Sequence, residues 1–394
     1  MKVPLPAHFD LADADAYARW REEKLARHPR RLEELMVELR DPRRITAVER
    51  EAILRACARA NMAVYAGACG ADPDKDIPRR LAAAIGLRRL DANYLADDDG
   101  ITPLAVAQAG TRSGYIPYTN RGIRWHTDGY YNEFGREIRG MVLHCVMSAS
   151  AGGENRLLDH EIAYILLRDR DPEFIAALMA NDAMTIPARI EDVGGASREQ
   201  GPRAAGMRPP ASAAEPPTVR ASILDAGKGG GGASREQGPR AAGMRPPASA
   251  AEPPTARGSI IDAGKGGGGA SREQGPRAAG MRAPANAAEP PTARAACTGP
   301  VFSVGPGGRL HMRYTARTRS IAWKEDERTR AAVAALEEIL EADSPWVFRG
   351  RLEPGMGLAC NNVLHDRAPF SDTPERRRLL YRARYFDRVA EPSC

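Results

Sequence analysis

No apolar run in the 394-residue chain approaches the roughly 20 residues that span a bilayer. Its first residues, Met1-Lys2-Val3-Pro4-Leu5-Pro6, lack the apolar core of a secretion signal. These two absences argue against a membrane partner and set the expectation of a cytoplasmic address. The six cysteines, Cys57, Cys69, Cys145, Cys297, Cys360 and Cys394, are scattered and include no C-x-x-C pair. That spacing suggests neither a disulfide framework nor a zinc knuckle, and leaves reduced thiols expected to be mostly buried. Apolar residues make up 43% of the chain, ample for one large or two ordinary domains.

Outside one block the chain also lacks net charge. The formal charge is +6, yet residues 194–296 carry 14 Lys and Arg against 8 Asp and Glu, and the remainder carries 43 of each. The basic character therefore belongs to that block and says little about an active-site partner. Within the block, Gly-Gly-Ala-Ser-Arg-Glu-Gln-Gly-Pro-Arg-Ala-Ala-Gly-Met-Arg recurs at 194, 231 and 268, a period of 37 residues. The first two copies differ only at Val219/Ala256, Ala221/Gly258 and Leu224/Ile261. Each unit has little beyond Met207, Val219, Ile223 and Leu224, or their equivalents, to bury. That is too little apolar surface to offset the entropy of ordering a segment rich in Gly, Pro, Ala and Ser. The block reads as a disordered insert, a tandem duplication tolerated in a loop. No aromatics are interleaved for base stacking, so nucleic acid is disfavoured as a partner.

Taken in order, residues 1–99 read as a helical region. Trp20, Leu25, Leu32, Leu35, Met36 and Leu39 recur at near-helical spacing across Asp15–Leu39, with Pro29 dividing the run into two helices. Thr46 and Glu49 form a capping box for a helix whose apolar face takes in Val48, Ile53, Leu54, Cys57 and Val64. Pro78–Ile85 is a further short helix. From Gly100 the pattern changes to short apolar runs between glycine turns. Strands are expected at Leu104–Ala107, Arg139–Met147, Asn155–Leu158, Val301–Val304 and Leu310–Tyr314, with a helix at Thr329–Ala342 and a closing strand at Arg378–Phe386. This is a mainly β chain with helices, split as 100–193 and 297–394 around the insert at 194–296. Short strands with glycine turns favour a sandwich or barrel over a parallel sheet.

The chemistry centres on Arg124-Trp125-His126-Thr127-Asp128-Gly129, taken together with Asn361-Asn362-Val363-Leu364-His365-Asp366-Arg367. Residues two apart on a strand share a face, so His126 and Asp128 can hold one ion while Thr127 turns away. With His365 they would bind iron through two imidazoles and one carboxylate, leaving the opposite face open, the ligand pattern of non-haem Fe(II) oxygenases. These segments, joined by Arg378-Leu379-Leu380-Tyr381-Arg382, resemble the TauD/TfdA family of Fe(II)- and 2-oxoglutarate-dependent dioxygenases. The resemblance covers roughly Gly100 to Pro187 and Pro300 to Asp387. It implies a double-stranded β-helix, a jelly-roll or cupin-like barrel, with Fe(II), 2-oxoglutarate and O2 at its mouth. The same resemblance implies His126, Asp128 and His365 as iron ligands and Arg378 as the partner of the far carboxylate of 2-oxoglutarate. A bidentate guanidinium suits that carboxylate. By the same analogy Arg382 is a second arginine near the cosubstrate or an anionic substrate, and Asn155 stands where many relatives have threonine. Asp366 and Asn362 depart from the family's glycine and arginine around the distal histidine. The activity implied is hydroxylation of a small organic substrate, the arginines suiting an anionic one, with 2-oxoglutarate decarboxylated to succinate and no side-chain acid or base required.

Tyr118, Asn120 and Tyr130 flank the H-x-D segment and are candidate walls of the substrate pocket. His144 and His311 lie in apolar runs and read as hydrogen-bonded structural residues, and His160 as a turn or surface residue. Arg313, Arg317 and Arg319 read as a solvated basic strand edge. Two rival functions stay open at this point. One is a 2-oxoglutarate-independent β-barrel metalloenzyme, for which Arg378 would be superfluous; the other is a non-catalytic binding protein acting through its basic repeats. A homo-oligomer is compatible with everything above.

Overall fold

The computed structural model describes residues 5–92, 95–191, 292–317 and 321–393. Two sheets frame the site. In chain order their strands are β1 Met36–Leu39, β2 Met62–Gly67, β3 Thr102–Leu104, β4 Ile123–His126, β5 Gly140–Met147, β6 Asn155–Leu158, β7 Phe348–Gly350, β8 Met356–Cys360, β9 Leu364–Arg367 and β10 Leu379–Tyr385. One sheet runs β1-β2-β8-β5-β10-β3 and the other β7-β6-β9-β4. Apart from the parallel pair β1 and β2, the neighbours are antiparallel. The helices are α1 Ala14–Arg27, α2 Ala47–Ala60, α3 Asp76–Ala84, α4 His160–Arg170, α5 Pro172–Leu178 and α6 Glu327–Glu341. None is long and apolar enough to cross a membrane among the described residues.

Each sheet has its own helical cover. Ile53 and Leu54 of α2 and Leu81 of α3 belong to the core of the six-stranded sheet, with Met141, Val142 and Ala383. The four-stranded sheet turns Trp125, Leu158 and Leu364 toward Ile162 and Ile165 of α4, Ile175 of α5 and Leu336 of α6. Burying one such leucine or isoleucine contributes about 2 kcal/mol, which is why these helices stay on their sheets. Because side chains alternate along a strand, the same packing sends His126, Leu157 and His365 to the opposite face of the four-stranded sheet. β5 is buried along nearly its whole length, as expected for an unbroken apolar run in a central strand.

Several expectations hold at the level of the element. Thr46 and Glu49 form the capping box, with the Glu49 amide donating to Thr46 Oγ1 at 3.2 Å and the Thr46 amide to Glu49 Oε2 at 2.6 Å. Others are corrected. Met36–Leu39 is a strand, not helix, because pairing with β2 satisfies its backbone. α2 ends at Ala60, where Asn61 takes a left-handed conformation with φ 57°, so Val64 lies in β2 and not on the helix face. Val48, placed on that face by periodicity, is 77% exposed. The amino-terminal region thus supplies two strands to the larger sheet. The repeats lie outside the described residues except for 292–296, and the chain on either side is paired, Arg189–Glu191 running antiparallel to Thr292–Arg294. Joining two ends already held together is the arrangement in which a long insertion costs least.

Candidate metal centre

β4 and β9 are neighbours although they are far apart in the chain, and their register sets His126 directly opposite His365. The two rings lie 4.2 Å apart between centroids. Strand β4 stops at His126, so Asp128 is held by other means than the sheet ladder expected from the sequence. The Thr127 amide donates to the Tyr314 carbonyl at 3.0 Å, and the Tyr314 amide to Thr127 Oγ1 at 3.1 Å. Thr127 turns away from the histidines, and Asp128 turns toward them. Donor atoms of His126, Asp128 and His365 all lie within 4.8 Å of one another, the one such group found among the described residues. Asp128 and His365 are buried, and His126 is half-buried, on the more open side.

The donor chemistry fits a divalent ion such as Fe(II). His126 Nδ1 lies 2.9 Å from the Arg124 carbonyl and His365 Nδ1 2.9 Å from the Val363 carbonyl. A carbonyl only accepts, so each Nδ1 carries the proton and each Nε2 keeps its lone pair for a metal. Burial, followed by the neighbouring His365, pushes the His126 pKa down to about 3, which keeps that imidazole neutral. Burial alone would raise Asp128, but Arg382, then Arg384, hold it at about 2. Asp128 Oδ1 accepts from Arg382 Nη1 at 2.8 Å. Its Oδ2 is buried without a hydrogen-bond partner, an atom that a cation would satisfy.

Sequence reading assigned no role to Asn362, which the structure places behind Asp128. The Asp128 amide donates to Asn362 Oδ1 at 2.8 Å, and Asn362 Nδ2 donates to the carbonyls of Asp128 at 2.9 Å and Ile138 at 2.6 Å. Its φ of 55° lies in the left-handed region that asparagine tolerates. That Asn-Asn turn before an apolar pair and a histidine was the available signal. Asp366 ties β9 to β6, accepting from the Arg156 amide at 2.8 Å and from Arg156 Nε and Nη2 at 2.6 Å each.

Along β10, alternation places Arg382 and Arg384 on one face, with Arg378 in phase just before the strand. Arg384 pairs with Asp91 at 2.5 Å and donates to the Tyr131 hydroxyl at 2.7 Å. Arg378 differs. Its side chain is buried, 5% exposed, and no acid lies within ion-pair distance of it among the described residues. Burial lowers its pKa. Arg367 lies near enough that, after burial, Arg378 helps push it down to about 9. Arg367 donates to the carbonyls of Thr119 at 2.8 Å and Arg121 at 2.5 Å, which anchors the segment leading into β4.

The remaining expected residues fall as follows. Asn155 is half-buried and donates through Nδ2 to the Asp366 carbonyl at 2.5 Å. Tyr118 is buried, with its hydroxyl donating to the Leu95 carbonyl at 3.2 Å. Asn120 is exposed, and its carbonyl accepts from the Phe370 amide at 3.1 Å. Tyr130 is half-buried and meets Tyr131 edge to face at 5.2 Å. His144 and His311 are buried, and His144 Nδ1 lies 3.1 Å from the Tyr65 hydroxyl. His160 is not a surface residue: it opens α4, is 1% exposed, and its Nε2 lies 3.2 Å from the Leu310 carbonyl. Arg313 is not a solvated edge either. It is buried and donates to the carbonyls of Met184 at 2.7 Å and Gly299 at 3.0 Å, bracing two strands that pair at those residues. Arg317 is half-buried, and Arg319 lies outside the described residues.

The taurine catabolism dioxygenase TauD, TfdA family matches residues 26–384. Uridine-5'-phosphate dioxygenases from Streptomyces sp and Amycolatopsis sp are 33% identical over 103 residues and 36% identical over 73, spans of 26% and 18% of this chain. These matches span only 36% and 26% of those relatives' lengths. Among solved structures, a taurine dioxygenase from Burkholderia xenovorans is 12% identical with a TM-score of 0.44, over 89% of this chain and 87% of that one.

Proposed function

Since the chain belongs to the taurine catabolism dioxygenase TauD, TfdA family, we propose that it is an Fe(II)- and 2-oxoglutarate-dependent dioxygenase that hydroxylates a small organic anion. The observation that carries this reading is the carboxylate of Asp128, one oxygen held by Arg382 and the other buried without a partner beside two imidazoles. His126, Asp128 and His365 would hold the iron. When bound, that iron supplies activation of dioxygen coupled to decarboxylation of 2-oxoglutarate to succinate.

This chain's own residues bind, orient and exclude water. Arg378, buried and without an acid partner among the described residues, is a cation that a carboxylate of 2-oxoglutarate would neutralise, and two parallel N–H donors would fix its orientation. Arg382 sets the direction of Asp128, and Asn362 fixes its backbone. Tyr118, Asn120 and Tyr130 are proposed as pocket walls around the open side of His126. Four arginines face this region, Arg367, Arg378 and Arg384 buried and Arg382 half-buried, and among the described residues the ion pairs found for them reach only Asp128 and Asp91. That imbalance favours anions. The uridine-5'-phosphate relatives make a phosphorylated nucleoside the first compound to test.

The experiment is turnover: purified protein with Fe(II), 2-oxoglutarate and oxygen, against a panel of nucleoside monophosphates, sulfonates and amino acids, read as succinate and oxidised product. Succinate in proportion to oxidised substrate is expected. A panel in which no compound raises 2-oxoglutarate consumption above background, from iron-loaded folded protein, would count against the proposal.

A further inference from the structure

Between the two sheets lies a cavity of about 30 Å³ that touches the imidazole of His365. Val64, Leu143, Met356 and Leu358 line it from the six-stranded sheet, Leu157 from the four-stranded one, and Leu352 from the segment between β7 and β8. Val64 and Leu143 both pair with Leu358 in register, so the three side chains form a continuous aliphatic wall. The polar side chains at its edge are already engaged. Asn155 donates to the Asp366 carbonyl, His365 Nδ1 to the Val363 carbonyl, and Arg351 pairs with Glu353 at 2.6 Å.

These facts narrow the occupant. A stably held water needs two to four polar partners, and such a lining supplies few or none. A dicarboxylate such as 2-oxoglutarate needs an available cation, and the only cation at the edge, Arg351, is paired. Arg378, Arg382 and Asp128 do not line the space. A narrow, aliphatic space of this kind suits a small apolar gas better than a polar substrate.

We infer that this cavity is a binding site for dioxygen on its way to the His365 side of the metal centre, with Leu352, half-buried, at its outer end. A small apolar molecule enters a dry aliphatic space without breaking hydrogen bonds, and so concentrates there relative to water. This inference rests on the dioxygenase reading, because only an oxygen-consuming centre gives the gas a destination.

Two measurements test it. Xenon, a gas probe that needs neither iron nor turnover, is applied to metal-free wild-type protein and to Val64→Phe and Leu352→Phe, with occupancy read by xenon NMR. Oxygen dependence of 2-oxoglutarate consumption is then measured for the same three proteins. Val64→Phe fills the inner wall; Leu352→Phe is a second variant in case the first fails to fold. We expect xenon in the wild type and its loss in the folded variants. We also expect a roughly fivefold rise in the KM for oxygen, with kcat at saturating oxygen unchanged, as when binding alone is weakened. Absence of xenon from the wild type, or an unchanged KM in a variant that excludes xenon, would overturn the inference. Xenon binding with no 2-oxoglutarate consumption by any of the proteins would overturn the delivery role through failure of the dioxygenase reading, and the xenon signal distinguishes that case from an absent cavity.

Discussion

Arg382 Nη1 donates to Asp128 Oδ1 at 2.8 Å, both side chains nearly fully buried, while Oδ2 of the same carboxylate has no hydrogen-bond partner. One guanidinium thereby decides which oxygen is left for a cation. It also keeps the carboxylate ionised where burial alone would favour the neutral acid.

Replacing Arg382 by alanine removes one half of a buried pair and leaves the other uncompensated. We expect the metal-free protein to lose about 3 kcal/mol in denaturant unfolding. Metal affinity should fall by roughly 10- to 100-fold, as for other residues that orient a ligand, read by Co(II) or Fe(II) titration. An Arg382→Ala protein with wild-type stability and metal affinity would show that the pair is incidental.

Arg378 makes the opposite prediction for stability. Its buried guanidinium has no acid partner, so Arg378→Met should leave the metal-free protein as stable as the wild type, or more so. The same change should weaken 2-oxoglutarate binding by about 2–5 kcal/mol, the cost of truncating one side of a buried charge pair. Isothermal titration of the cosubstrate into iron-loaded protein, beside a thermal melt without metal, separates the two effects. A large loss of stability with unchanged cosubstrate affinity would make Arg378 a structural residue.

Asn362 makes three hydrogen bonds behind Asp128. Asn362→Ala should cost about 2 kcal/mol by leaving buried backbone groups unpaired. Metal affinity should drop with it, and Asn362→Gly should not rescue that drop, although glycine relieves the φ of 55°. Rescue by glycine would mean that backbone conformation, not the amide side chain, is what matters.

What could be read in the sequence was whatever depends on local chemistry. His126, Asp128 and His365 stand in short recognisable segments, and the Thr46–Glu49 capping box has a fixed spacing. β1 and β2 were misread because each is short, and their neighbours Leu32, Leu35 and Ile53 continue a helical periodicity that only sheet pairing overrides. Arg313 and His160 were placed at the surface because polarity is a poor guide once a carbonyl or carboxylate partner comes from a distant segment. The Arg382–Asp128 pair joins positions 254 residues apart, a distance no spacing rule bridges.

A second buried charge cluster governs pH dependence. Lys24 Nζ lies 2.7 Å from Asp159 Oδ2 and 2.5 Å from Glu161 Oε2. Burial alone would raise both carboxyl pKa values, but Lys24 holds them below their ordinary 3.8 and 4.5. Groups depressed in the folded state stabilise it above those ordinary values, and that stability is lost as pH falls below them. Burial lowers Lys24, and its two acids more than restore it above 10.5, so its share is fully present below that pH and lost only above it. Between pH 7 and pH 3 the wild-type melting temperature should therefore fall. In Lys24→Met the largest charge opposing burial is gone, so both carboxyl pKa values should rise and the fall in melting temperature between pH 7 and pH 3 should be smaller than in the wild type. Parallel curves for the two proteins would show that the cluster does not couple to folding.

The most direct measurement is anaerobic. Fe(II) and 2-oxoglutarate are added to metal-free protein, and the visible charge-transfer absorption of the ternary complex is recorded for wild type, His126→Ala and Arg378→Met. We expect a band in the wild type, no band in His126→Ala, and a band in Arg378→Met that needs far more 2-oxoglutarate to saturate. Folded, iron-loaded wild-type protein that gives no band at any 2-oxoglutarate concentration would contradict the dioxygenase assignment.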